Sequence, residues 1–203
     1  RHSPIAGVVL TNGEIDAVAG LLSLREGSPF SIFGHERVLS VLEENSIFNV
    51  LDRALVPRIP IALDAPFEPR LPDGTPSGLS IEAFEVPGKP AWFLEGTRRA
   101  GERDVPGDTL GLSIRAGDGP AAYVVAACGR VTDALADRLR GAALVMFDGT
   151  VWQDDELIRA GLGQKTGQRM GHLSMSGEAG AIAALDELGI DRRLVIHIKN
   201  HNP

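Results

Sequence analysis

Apolar residues in this chain come in short runs broken by turn formers, and the spacing within the runs switches between strand-like and helix-like. The stretch LTNGEIDAVAGLLSLRE, Leu10 to Glu26, shows the switch most plainly. Ile5 to Leu10 reads as a buried strand and Thr11-Asn12-Gly13-Glu14 as a polar turn at its carboxyl end. Ala17, Leu21 and Leu24, with Val18 and Leu22 beside them, then form the buried face of a helix. Asp16 suits the N-cap of that helix, because its carboxylate can accept an otherwise unpaired first-turn N–H. In open α/β architectures ligands sit at the carboxyl ends of strands. A capped strand-turn-helix also occurs with no role beyond folding.

The remaining pattern mixes strands and helices. SPFSIFG predicts a short strand, and His35 to Glu44 a helix with Val38, Leu39 and Leu42 on one side and His35 as a surface or capping residue. IPIAL predicts a strand, DAPFEPRLPDGTPSG a turn-rich excursion, and Leu79 to Val86 a half-buried strand. GTRRAGERDVPGD predicts a charged, mobile loop. LGLSIR and AAYVVAA, separated by AGDG, predict a hairpin. Thr132 caps a helix carrying Leu135 and Leu139 that Gly141 ends, and Ala142 to Phe147 forms a buried strand running into Asp148. A helix around DDELIRAGL follows, then the polar segment GQKTGQRMGHLSMSG. Beyond Ser176 comes a helix with Ile182, Leu185 and Leu188 on one side, stopped by Gly189. Arg192 to Ile198 predicts a final strand in which His197 alternates against Ile196 and Ile198.

Composition narrows the classes. A chain of 203 residues is ample for one buried core. No apolar run reaches the length of a spanning helix and the first residues lack a signal-peptide layout, so a soluble, cytoplasmic protein with no membrane partner is expected. A net charge of -7 with no Lys/Arg run argues against nucleic acid. The single cysteine, Cys128, excludes an internal disulfide or a thiolate zinc cluster within this chain, and its apolar setting reads as core packing.

Candidate chemistry gathers at strand ends. Asn12 to Asp16 follows the first strand, Asp148 ends a later one, and His197 lies near the end of the last; if these strands run parallel, their ends converge. His172, on the Gly-flanked loop MGHLS, could reach the same place. Two imidazoles with one or two carboxylates suit iron, manganese or zinc, and two His with one carboxylate and open positions are typical of non-haem Fe(II). The competing reading places His172 and His197 in hydrogen bonds inside the core, with Asp148 capping a turn.

LTNGEIDAVAGLLSLREG, VPGKPAWFLEG, LVMFDGTVWQDDELIRAGLG, GQRMGHLSMSG and VIHIKNHNP together resemble the pyrroloquinoline quinone (PQQ) biosynthesis protein B family of the metallo-β-lactamase superfamily. The resemblance spans nearly the whole chain. It implies an α/β (α+β) fold, an αββα sandwich forming one domain over residues 1–203 and incomplete at both ends. In the family, strands and a cysteine-rich zinc-binding segment precede RHSPI, and a tail follows NHNP. It also implies a part in making PQQ, by iron-dependent, oxygen-using hydroxylation of the tyrosine ring in a crosslinked Glu-Tyr precursor. The alternatives are a carrier of PQQ or its precursor towards the periplasm, and a metal-dependent hydrolase.

Laid on the superfamily motif HxHxDH, the first turn puts Asn12 and Glu14 at the first two His, keeps Asp16, and places Ala17 at the last His. Pro87 falls at the next expected His. Asp16, Asp148, His172 and His197 are thus the metal candidates, with His172 and Asp148 also the catalytic ones, for Fe(II) or else zinc, with dioxygen as co-substrate. The substrate would be a small anionic amino-acid-derived PQQ precursor, with other PQQ biosynthesis proteins as further partners. Lys165 and Arg169, on the loop that carries His172, are the expected carboxylate clamps, Arg by its bidentate fork.

Overall fold

The computed structural model describes residues 3–94 and 104–199. Two sheets face each other. The first contains β1 (Gly7–Val9), β2 (Ser31–Gly34) and β3 (Arg58–Pro60), all parallel and in that order. The second runs β4 (Pro66–Phe67), β5 (Leu79–Glu85), β6 (Leu110–Ala116), β7 (Ala122–Val125), β8 (Leu144–Asp148) and β9 (Arg193–Ile196). It is antiparallel from β4 to β7 and parallel from β7 to β9.

The helices are α1 (Ile15–Val18), α2 (Glu36–Glu44), α3 (Asp133–Leu139), α4 (Glu156–Arg159), α5 (Gly167–Met170) and α6 (Ala181–Asp186). Alternation along the strands decides what each layer holds. On β2, Ile32 turns outward to Val38, Leu39 and Leu42 of α2, while its neighbour Phe33 turns inward to Ile81, Ala83, Leu110 and Leu112 of the second sheet. On the far side, Phe84, Val125, Val145 and Phe147 pack under Leu135 and Leu139 of α3 and Ala181 and Leu185 of α6. Three apolar layers between four structural layers make the αββα sandwich that the sequence implied. Among the described residues no helix is long and apolar enough to cross a membrane.

Several local expectations shift. Helix α1 begins at Ile15 with Glu14 at the N-cap position, so Asp16 lies inside the first turn and does not cap it. The cause is an Asx turn: the Glu14 N–H donates to Asn12 Oδ1 at 3.0 Å, which brings the chain into the helix early. After one turn the helix tightens to 3-10 over Ala19–Leu24, and Val18, Leu21 and Leu24 fall three apart on the buried side. His35 is a cap, its Nδ1 accepting from the Arg37 N–H. Strand β9 stops at Ile196, and His197 adopts φ +57, so the predicted alternation through Ile198 ends there. Ile182 is 42% exposed, off the buried side of α6. Residues 96–103 of the predicted charged loop lie outside the described residues. The rest of that loop is pinned, since Arg37 grips the buried Asp108 carboxylate with two bonds of 2.9 and 2.8 Å.

Phe33 joins the sheets and stacks on Phe67 with centroids 5.3 Å apart. Phe33→Ala is expected to destabilise the protein by about 3–5 kcal/mol. A lower urea midpoint at unchanged m-value would report this loss.

Candidate metal centre

Asp148 ends β8 and is 1% exposed, a burial that an ionised carboxylate tolerates only when saturated with donors. Its Oδ1 accepts from Thr150 N at 3.0 Å and from Thr150 Oγ1 at 2.6 Å. Its Oδ2 accepts from the Cys128 N–H at 3.0 Å and from His172 Nδ1 at 2.7 Å. The backbone must turn tightly to allow this: a Cβ on Gly149 would lie 2.0 Å from Val195 Cγ1, so only glycine fits between Asp148 and Thr150.

His172 arrives from the polar segment after α4. That segment folds a further short helix, α5, whose Thr166 side chain accepts from Arg169 N at 3.2 Å and whose C-cap Gly171 takes the left-handed φ of +89. The chain leaves Gly171 turned back on the sheet, and the Leu173 N–H donates to Cys128 O at 2.6 Å. Because Asp148 fixes the proton on His172 Nδ1, the lone pair of His172 lies on Nε2.

His197 follows β9, hydrogen-bonded parallel to β8, so its backbone comes level with Asp148 and Thr150. Its Nδ1 meets Thr150 Oγ1 at 2.7 Å and lies 3.6 Å from Asp148 Oδ1. Its Nε2 meets Asp16 Oδ2 at 2.9 Å. Asp16 comes from the first sheet's side, so the cluster bridges both halves of the sandwich. The imidazole rings of His172 and His197 are 5.4 Å apart.

Asp148, His172 and His197 each present a donor atom, and these atoms lie within 4.8 Å of one another, close enough for one ion to bridge. Electrostatics agree with that fit. Burial works against ionisation of Asp148, but bonds from His172, His197 and Thr150 outweigh it and hold its pKa at about 2. The nearby Asp148 carboxylate and then the bond to Asp16 raise His197 to about 9 against the effect of burial. The His197 bond, again opposed by burial, lowers Asp16. A proton on His197 thus supplies the positive charge that a bound cation would supply to the same two carboxylates. Cys128, pushed up to about 12 by burial and by Asp148, stays a thiol and packs in the core as expected.

Asp16, His172 and His197 line a cavity of about 830 Å³, with Asp148 buried behind them. Lys165 lines it, with its ammonium 5.3 Å from the centroid of the Trp92 ring. Arg169 does not. It faces a separate small pocket with Asp104 and Arg130, because successive residues on a helical turn diverge by about 100° and Met170 takes the cavity side. The expected Lys165–Arg169 pair therefore does not form one clamp. Glu14, at a superfamily ligand position, accepts from Lys89 Nζ at 2.7 Å and from Trp92 N at 3.0 and 3.1 Å. Its carboxylate is already matched by an ammonium. Sequence reasoning missed Thr150 and Lys89; the signal for Thr150 was its place two residues after Asp148, where an Asx turn puts a hydroxyl beside the carboxylate.

A sandwich of two sheets with an Asp/His donor cluster at its strand ends is the architecture of the metallo-β-lactamases. The family model described as "Beta-lactamase superfamily domain" matches residues 1–198, and the chain belongs to that superfamily. Within it, the chain is similar to proteins named coenzyme PQQ synthesis protein B. It is 65% identical over 204 residues to that of Rhodopseudomonas palustris and 61% identical to that of Bradyrhizobium diazoefficiens, covering 100% of this chain and 66% of each relative. A crystal structure of Zn2+-bound PqqB from Methylobacterium extorquens superposes with a TM-score of 0.90 at 45% identity, over 100% of this chain and 65% of that one. The chain therefore spans about two thirds of the length of these relatives.

In the metal-free protein, His197 has a folded pKa of about 9 above a reference of 6.5, so its stabilisation is complete below pH 6.5 and is lost as the pH rises through 9. Asp148, at about 2 against 3.8, contributes fully above pH 3.8 and loses that contribution as the pH falls through 2. Ring-proton NMR should show a His197 midpoint near 9 that Asp16→Asn moves down towards 6.5. An unmoved midpoint would mean that the Asp16 bond does not form in solution.

Proposed function

We propose that this chain acts in the biosynthesis of PQQ, with Asp148, His172 and His197 holding one Fe(II) for the oxygen-dependent hydroxylation of the tyrosine ring of a crosslinked Glu-Tyr precursor. The convergence of those three donor atoms within 4.8 Å carries the reading. When bound, the metal would supply dioxygen activation, with the two further electrons per hydroxylation coming from an external reductant. The Methylobacterium extorquens relative was crystallised with Zn2+, which supports metal binding among these proteins and keeps zinc as the other candidate ion.

The chain's own residues do the rest. Asp148 accepts from His172 Nδ1 through Oδ2, which leaves His172 Nε2 to face the ion, and a carboxylate bonded to a ligating imidazole in this way raises its basicity. Without the metal, Thr150 accepts from His197 Nδ1 and donates to the Asp148 carboxylate, which fixes the His197 ring plane; Nδ1 is the nitrogen that would give up its proton to take the ion. Asp16 holds the other His197 nitrogen and can retain its proton when a cation enters. Lys165 places positive charge on the cavity wall for an anionic substrate. A dinuclear hydrolytic site fits less well, because Glu14 is committed to Lys89, and Asn12 to the turn.

Anaerobic titration with Fe(II) is expected to saturate at one ion per chain and to release a proton near pH 7, where His197 is otherwise protonated. His172→Ala should weaken binding by at least about tenfold. It should also abolish hydroxylation of the Glu-Tyr precursor while the circular dichroism spectrum is retained. Absent binding by the native chain would leave the carrier reading in its place.

A further inference from the structure

The cavity that holds the donor cluster also holds features the metal chemistry does not use. Ile15, Trp92 and Leu162, 57, 62 and 64% exposed, all line it, a concentration of large apolar surface left open to water on one wall. Trp92 is not loosely placed. Its backbone N–H donates to both oxygens of Glu14, and Glu14 is held by Lys89, whose side chain is 8% exposed. The Trp92 backbone is therefore tied to the same turn that carries Asp16.

Charge on the cavity wall is unevenly committed. Glu14 is paired with Lys89, and Asp16 with His197. Lys199, two residues beyond His197, instead directs its ammonium at the thioether sulfur of Met170, 3.7 Å away, a weak acceptor for a full positive charge. The Lys165 ammonium above the Trp92 ring adds a second cation at the aromatic wall. In a protein of net charge -7, a cavity offering a largely exposed indole and a poorly matched ammonium suits an aromatic acid.

We propose that Trp92 and Lys199 are the recognition residues of this cavity, Trp92 stacking on a planar aromatic ring and Lys199 pairing with a carboxylate of the same ligand. The inference rests on the proposed role in PQQ synthesis for its biological setting, but not on the metal for its geometry. Neither residue touches the donor atoms of Asp148, His172 and His197, so recognition and metal binding are separable.

The test uses the metal-free full chain and calorimetric titration with naphthalene-2,6-dicarboxylate, which is planar and does not chelate, against cyclohexane-1,4-dicarboxylate as the non-aromatic control. The native protein should bind the naphthalene acid and prefer it to the control. Trp92→Ala should lose about tenfold or more in affinity for the aromatic acid and little for the control, while Trp92→Phe, which keeps a ring, recovers most of the loss. Lys199→Met should weaken both acids by about tenfold, and Lys199→Arg should restore them. Fe(II) stoichiometry should be unchanged in all four variants, which also shows that the fold has survived. Binding that ignores both residues, or no preference for the aromatic acid, overturns the inference while leaving the metal reading intact. Ring-dependent binding in a chain that takes up no Fe(II) would overturn the metal reading and leave this one standing.

Discussion

A single buried carboxylate, that of Asp148, sets the geometry on which the rest of the site depends. An ionised group at 1% exposure has lost nearly all its hydration and must recover it from the protein. Four segments answer that demand: the loop after β7 through the Cys128 N–H, the end of β8 through Thr150, the loop after α5 through His172, and the end of β9 through His197. The same donors that keep Asp148 charged also bring two imidazoles to one point. Stability of the buried charge and assembly of the donor cluster are thus one requirement.

The position of Asp16 follows from the two-sheet architecture. Asp148 and His197 share a sheet, and parallel pairing of β8 with β9 brings their ends level. Asp16 comes from the opposite sheet's helix and reaches His197 Nε2 across the gap. A chain whose superfamily motif has lost three imidazole positions therefore keeps the one carboxylate that closes the cluster. The vacated positions are not empty of interaction. Asn12 builds the turn, and Glu14 anchors Lys89 and the backbone of Trp92, so residues at former ligand positions organise the cavity wall.

High similarity to proteins named for PQQ synthesis gives this geometry its setting, over two thirds of their length. The cavity divides into a polar floor of carboxylate and imidazole and an apolar wall with an exposed indole. Such a division is what a small aromatic acid needs if one end is to react while the other is held.

Local sequence chemistry determined most of the elements. Thr132 as a cap, Gly141 and Gly189 as stops at positive φ, the β6–β7 hairpin and the buried face of α2 all follow from interactions within a few residues. Asp148, His172 and His197 were legible as candidates because each lies at a strand end or on a polar loop next to glycine. What the sequence alone left open was decided by contacts between residues far apart in the chain. Local pattern makes Asp16 a helix cap as well as a metal candidate, and only its bond to His197, 181 positions away, decides against the cap. Arg169 was grouped with Lys165 because the turn of α5 that separates them was not visible as a helix in four residues. His197 was read as a strand residue, whereas the left-handed turn that aims its ring at Thr150 is set by the neighbouring end of β8. Periodicity and capping are local and survive in the sequence; the saturation of a buried charge is not local, and only the packed sandwich shows which groups provide it.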